Sequence, residues 1–219
     1  MSTIKVFIVD DHKIFRDGLK MLLSTIKNVL VSGEASNGKI FLSMLKNDKP
    51  DIVFMDINMK EMDGIEATQK AFEIFPDLKI IVLTSFEDEA YFNQMTDLGV
   101  HGYLLKNSLK EDFENAINKV MQGLNYYSDD LIVKLAKKMT QARKFPEKQQ
   151  PEILFSEEEK VLLKYICQGL TNKQIAEILH LSNRTIEAHR ARLLDKTDTK
   201  NSVALAVYAI ANKLIELDQ

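Results

Sequence analysis

A single cysteine among 219 residues leaves no disulfide framework to hold this chain together. That usage fits a reducing compartment. Cys167 closes the apolar run Val161 to Ile166 and reads as a small core residue rather than a reactive thiol. Long apolar runs are also missing, since none approaches the ~20 residues of a membrane-crossing helix. Met1 to Lys5 offers no charged leader before the first apolar run. The expectation is a cytoplasmic protein, neither secreted nor membrane-embedded. No internal repeat is present. A basic excess is lacking too, with a formal net charge of −3. Residues 1–124 carry 14 Lys and Arg against 19 Asp and Glu; residues 153–219 carry 9 against 9. A generally basic module is excluded, so any nucleic-acid contact must come from local placement of charge.

What the chain does have is a series of short apolar runs, each ending on a polar residue. Ile4 to Val9 ends on Asp10-Asp11, Ile52 to Met55 on Asp56, Ile80 to Leu83 on Thr84, and Tyr103 to Leu105 on Lys106. A further run spans Leu30 to Glu34. These runs are β-branched and nearly continuous, as strands covered on both faces require. Helical patterns alternate with them, such as Phe15, Leu19, Leu22, Leu23 and Ile26, or Phe113, Ala116, Ile117 and Val120. The alternation predicts an α/β unit with a doubly wound, five-stranded parallel sheet. The carboxyl ends of such strands line the ligand crevice. Three carboxylates, a hydroxyl and an ammonium converging there suit a divalent cation and a phosphoryl group. Without a cation, clustered carboxylates repel and raise one another's pKa.

The strings Val9-Asp10-Asp11-His12, Met55 to Met59, Met62-Asp63-Gly64, Leu83-Thr84-Ser85 and Gly102 to Lys106 together resemble a receiver domain of bacterial two-component signalling. The resemblance implies a flavodoxin-like fold over residues 1–124. It implies that Asp56 accepts a phosphoryl group from a sensor histidine kinase. Mg²⁺ would be held by Asp11 and Asp56 directly, by Asp10 through water, and by the Asn58 backbone carbonyl. Lys106 and Thr84 would meet the charge of the transferring group, and Thr84 and Tyr103 would form the switch. Asn58 and Phe86 flank the family's hydrolytic water path, which predicts a long-lived phosphorylated state. His12 reads as a polar residue of the first helical turn. Lys60 and Asn107 stand where proline is common in the family; neither removes a reacting group. A haloacid-dehalogenase-type phosphatase would need Asp-x-Asp, and here the aspartates are adjacent.

Residues 125–152 read as a linker. Ser128 can cap a helix over Asp129 to Met139, and Lys144 to Pro151 resists regular structure. Residues 153–219 read as a small all-α domain. Helices are predicted from Ser156 to Gly169, from Thr171 to Leu179, from Thr185 to Thr197 and from Ser202 to about Leu214. Two short helices joined by a tight turn, with arginines on the second, point to helix-turn-helix. Gly169 to Ala176 and Leu181 to Arg192 resemble the LuxR-type DNA-binding domain, although Glu158 and Thr197-Asp198 depart from its usual residues. Lys173, Arg184 and Lys196 are candidate phosphate contacts. Thr185 lies beside them, and Glu187, Ala188, Ala191 and Arg192 are candidates to face base edges, with Arg190 near either group. Tyr208, Ile210 and Leu214 either support a dimer contact or pack within their own domain.

Across nearly the whole chain the resemblance is to a NarL/FixJ-type response regulator, a transcription factor and not an enzyme in the usual sense. It implies kinase-controlled homodimerisation on palindromic double-stranded DNA. One rival is a phosphorylation-independent DNA-binding regulator whose receiver is a docking scaffold. Another is a phosphotransferase or phosphatase, for which no second catalytic base is visible.

Overall fold

A computed structural model describes residues 3–85, 89–128, 154–199, 202–212 and 214–215. The chain divides into two compact units, Met1–Ser128 and Asp129–Gln219.

In the first unit strands and helices alternate: β1 (Ile4–Val9), α1 (Lys13–Ser24), β2 (Val29–Ala35), α2 (Gly38–Leu45), β3 (Ile52–Asp56), α3 (Gly64–Ile74), β4 (Lys79–Thr84), α4 (Glu89–Asp97), β5 (Gly102–Leu105), α5 (Lys110–Met121) and β6 (Tyr126–Tyr127). The sheet runs β2-β1-β3-β4-β5-β6, and every pair is parallel. Side chains alternate across it. Val6, Ile8, Phe54, Leu83 and Leu104 pack with Leu19, Leu23, Phe113 and Ile117 of α1 and α5. Phe7, one residue out of step, meets Phe41 of α2 at a ring separation of 5.4 Å. The strand order reverses beside β1, which opens the crevice at the ends of β1 and β3.

The sequence predicts five strands, and the sheet has six. Tyr126 and Tyr127 pair with Gly102 and Tyr103. Gly102 admits this close approach, because a Cβ there would lie 2.8 Å from the Tyr126 carbonyl oxygen. A two-residue strand leaves no apolar run in a sequence, so periodicity could not reveal it. The expected helix over 129–139 and the stretch 144–151 lie outside the described residues.

The second unit has four helices among its described residues: α6 (Glu157–Cys167), α7 (Asn172–Leu179), α8 (Asn183–Thr197) and α9 (Ser202–Ala211). Their starts follow from capping chemistry. Ser156 and Glu159 form a reciprocal capping box, as do Thr171 and Gln174. Ser182 accepts from the Thr185 N–H, so α8 begins at Asn183, two residues before the predicted start. Leu162, Leu163, Ile166, Ile175, Ile186, Leu193, Leu205 and Ala209 form the core. No helix among the described residues is long and apolar enough to cross a membrane.

Candidate phosphoacceptor pocket and DNA interface

The ends of β1, β3 and β5 bring Asp10, Asp56 and Lys106 into one crevice, and Thr84 ends the neighbouring β4. Asp10 follows β1 and is fully buried; Asp56 ends β3 and is 3 % exposed. The Lys106 ammonium, which follows β5, lies 2.8 Å from Asp10 Oδ2 and 2.9 Å from Asp56 Oδ2. It also sits 5.1 Å from the centre of the Phe15 ring. The Lys106 N–H donates to the Thr84 carbonyl at 2.9 Å, which ties the end of β4 to the lysine loop. Asp11 is half-buried, and its Oδ1 stands 2.9 Å from His12 Nδ1. The His12 N–H donates to Asp10 Oδ1 at 2.8 Å. Ligand atoms of Asp10, Asp11, His12 and Asp56 all fall within 4.8 Å of one another. Asn58 is exposed two residues past Asp56. Phe86 lies outside the described residues. The Lys106–Asn107 peptide is trans.

The electrostatics show the strain of this packing. Burial, and then the Asp10 charge, push the Asp56 carboxyl up to about 6 despite the opposing lysine. Burial alone would lower the Lys106 ammonium, but Asp10 and Asp56 overcome it and hold its pKa above the ordinary value. Asp10 and Asp56 thus share one ammonium, with Asp11 adding a third carboxylate nearby. Asp10 Oδ2 and Asp56 Oδ2 meet the Lys106 ammonium and Asp11 Oδ1 meets the His12 ring, each by an ion-pair contact rather than an aligned hydrogen bond. Hard oxygens with surplus negative charge are the donor set that a hard divalent cation takes.

One supporting residue, Arg16, escaped the sequence reading, and another, Gly64, entered it only as part of a motif. Arg16 is 9 % exposed and donates from Nη1 to the Asp10 carbonyl at 2.6 Å. Its spacing from Leu19 and Leu23 places it on the buried stripe of α1, a signal present in the sequence. Gly64 begins α3 directly over the end of β3. A Cβ there would collide with the Asp56 carbonyl oxygen. The Gly64 N–H donates to the Ile57 carbonyl at 2.9 Å.

Tyr103 is fully buried. Its hydroxyl donates to the Phe92 carbonyl at 2.8 Å, and its ring lies 4.6 Å from Phe92 and 6.1 Å from Tyr127. Burial raises its phenol above the ordinary range.

In the second unit, α7 and α8 form the expected helix-turn-helix, with His180 turning the chain at φ 53°. The sequence candidates on α8 fall into two groups. Arg184, Glu187, Ala188, Ala191 and Arg192 are exposed at helical spacing, and Lys173 is exposed on α7. Thr185 is half-buried; its hydroxyl bonds the Ser182 hydroxyl at 2.8 Å. Asn183 Nδ2 donates to Glu187 Oε1 at 2.8 Å. Arg190 and Lys196 are engaged within the unit. Arg190 bonds Ser202 and the Leu170 carbonyl. Lys196 pairs with Glu159 at 2.7 Å and lies over the Phe155 ring. Tyr208 is buried, and Leu214 packs against this unit's core.

Comparison with known proteins agrees with this division. Residues 6–118 match the response regulator receiver domain, and residues 154–209 match the bacterial regulatory proteins of the luxR family. The response regulator VraR of Staphylococcus aureus is 31% identical over 214 residues, covering 98% of this chain and 100% of that protein. RcsB of Salmonella typhimurium is 26% identical with a TM-score of 0.60, covering 96% of this chain and 99% of that one. An RcsB–DNA complex is 25% identical at TM-score 0.57, again over 96% of this chain and 99% of that one. The chain therefore belongs to the two-component response regulators that join a receiver domain to a LuxR-type DNA-binding domain, a family of transcription regulators rather than catalytic enzymes.

Proposed function

We propose that this protein is a transcription factor switched by phosphorylation of Asp56. The observation that carries this reading is the convergence of Asp10, Asp11, Asp56 and Lys106 at the strand ends. The receiver would span residues 1–124, the linker 125–152 and the DNA-binding domain 153–219. In the cytoplasm a sensor histidine kinase would present a phosphohistidine. An Asp56 carboxylate oxygen attacks phosphorus, the O–P bond forms, and the N–P bond to histidine breaks. Lys106 is held by Asp10 and Asp56, so its ammonium is positioned to pair with a phosphoryl oxygen. The Thr84 hydroxyl would take another. Bound Mg²⁺, carried by Asp10, Asp11, Asp56 and the Asn58 carbonyl, would offset the negative charge of the phosphoryl group.

Phosphorylation would then bias a two-state equilibrium through Thr84 and Tyr103 and favour a homodimer. Arg184, Thr185, Glu187, Ala188, Ala191 and Arg192, with Lys173, would meet a palindromic double-stranded site. Arg190 and Lys196, already engaged in packing, would act less directly. Among structural relatives, two RcsB dimers have been seen on two parallel DNAs. Selection from a randomised duplex pool, with and without a small phosphodonor, tests the whole proposal. Enrichment of a palindrome that strengthens on phosphorylation is expected. Equal enrichment in both arms would favour the scaffold reading instead.

A further inference from the structure

Among the described residues, Arg190 holds the middle of α8 at two points. It lies on the inner stripe with Ile186, Leu193 and Thr197, at steps of four, three and four residues. Its Nη1 donates to the Ser202 hydroxyl at 2.6 Å, at the first residue of α9. Its Nη2 donates to the Leu170 carbonyl at 3.3 Å, in the turn between α6 and α7. A guanidinium is a rigid planar fork, and bonds from a charged donor are roughly twice as strong as neutral ones. Two prongs anchored on two different segments fix the rotation of α8 about its own axis as well as its distance from the core. That rotation decides where Arg184, Ala188, Ala191 and Arg192 point, because they lie on the opposite face of the same helix.

We infer that Arg190 is a positioning residue for DNA recognition: it sets the angle of the reading face and does not itself touch DNA. The inference rests on the reading of α8 as the recognition helix. To contact DNA, Arg190 would have to surrender both bonds and leave the Leu170 carbonyl and the Ser202 hydroxyl without this donor. Lysine is a poor replacement, since a single ammonium cannot reproduce a fork.

The test uses the phosphodonor-treated full-length chain, the duplex that the wild type enriches from a randomised pool, and a scrambled duplex of the same composition. Affinities are measured across a potassium chloride series below the melting temperature of every variant. Arg190→Gln should lose about tenfold in affinity for the enriched duplex and far less for the scrambled one. Its salt slope should stay at the wild-type value, because no phosphate contact has gone. Arg190→Lys should fall between the two. Ser202→Ala, which leaves the guanidinium in place, should lose discrimination in the same sense by a smaller factor. The double variant should be no worse than Arg190→Gln alone. A salt slope reduced by about one would make Arg190 a phosphate contact and overturn the inference. Loss of preference at a single base position would make it a base reader and overturn the inference equally. Unchanged discrimination in both single variants would overturn it too. A wild type that enriches no sequence would instead remove the DNA-binding reading, and this inference with it.

Discussion

Asp56 carries a charge that its surroundings resist, and this has a measurable consequence. Its carboxyl is raised from 3.8 to about 6, by burial first and by Asp10 second. In the metal-free protein the folded state therefore binds the proton more tightly than the unfolded chain. The associated stability is fully present below about pH 4 and is lost as pH rises through about 6. Asp56→Asn should remove that pH dependence and stabilise the chelator-treated protein at pH 7 by about 1–3 kcal/mol. Denaturant titrations at pH 4, 6 and 7.5 check this; a variant less stable than wild type at pH 7.5 would count against it. A second residue-scale expectation concerns Asp198, which ends α8 in the left-handed region at φ 50°. Glycine takes that conformation without a steric penalty. Asp198→Gly should gain up to about 1 kcal/mol, read as a rise in melting temperature. The reacting residues were legible because each ends an apolar run. The residues that hold the proposed recognition helix were less so. Arg190 and Lys196 read as DNA contacts because their partners, Ser202 and Glu159, stand 12 and 37 residues away in sequence.

At the scale of elements, α3 is seated on the end of β3 through Gly64. The collision awaiting a Cβ at that position involves backbone on both sides, so neither can swing aside. Gly64→Ala should cost about 1–3 kcal/mol and displace the loop after Asp56, slowing phosphoryl uptake from a small donor. Full uptake at wild-type stability would show that the loop yields freely. Helix boundaries in the second unit were largely legible, since Ser156, Thr171 and Ser182 are cap residues with a recognisable pattern. Ser156→Ala should lower the stability of this unit by about 1 kcal/mol, seen as an earlier thermal transition. Strand β6 was not legible. It exists because Tyr126 and Tyr127 find the open edge of β5, and edge pairing over two residues depends on tertiary approach rather than local pattern. Tyr126 is further fixed by its hydroxyl, which donates to Asp112 Oδ1 at 3.1 Å.

For the molecule as a whole, residues 1–124 are acidic and residues 153–219 neutral, yet the second unit exposes basic residues on both helices of its helix-turn-helix. Arg184 and Arg192 are exposed on α8 and Lys173 on α7. Binding to DNA should be salt-sensitive yet weak for one domain alone, with two linked half-sites supplying the rest. Arg192→Ala should cost about 1–3 kcal/mol and relax preference at one base position. Lys173→Ala should weaken all sequences alike and flatten the salt slope. Affinities for enriched and scrambled duplexes over a salt series separate these outcomes. Indifference of both variants would place the interface elsewhere. All of this depends on Asp56 being the residue that receives the signal. The most direct measurement is the mapping of acid-labile phosphate on the purified chain after incubation with a small phosphodonor and Mg²⁺. One phosphoryl group on Asp56 is expected, absent from Asp56→Asn and from samples with excess chelator. Phosphate at undiminished stoichiometry on Asp56→Asn would contradict that assignment.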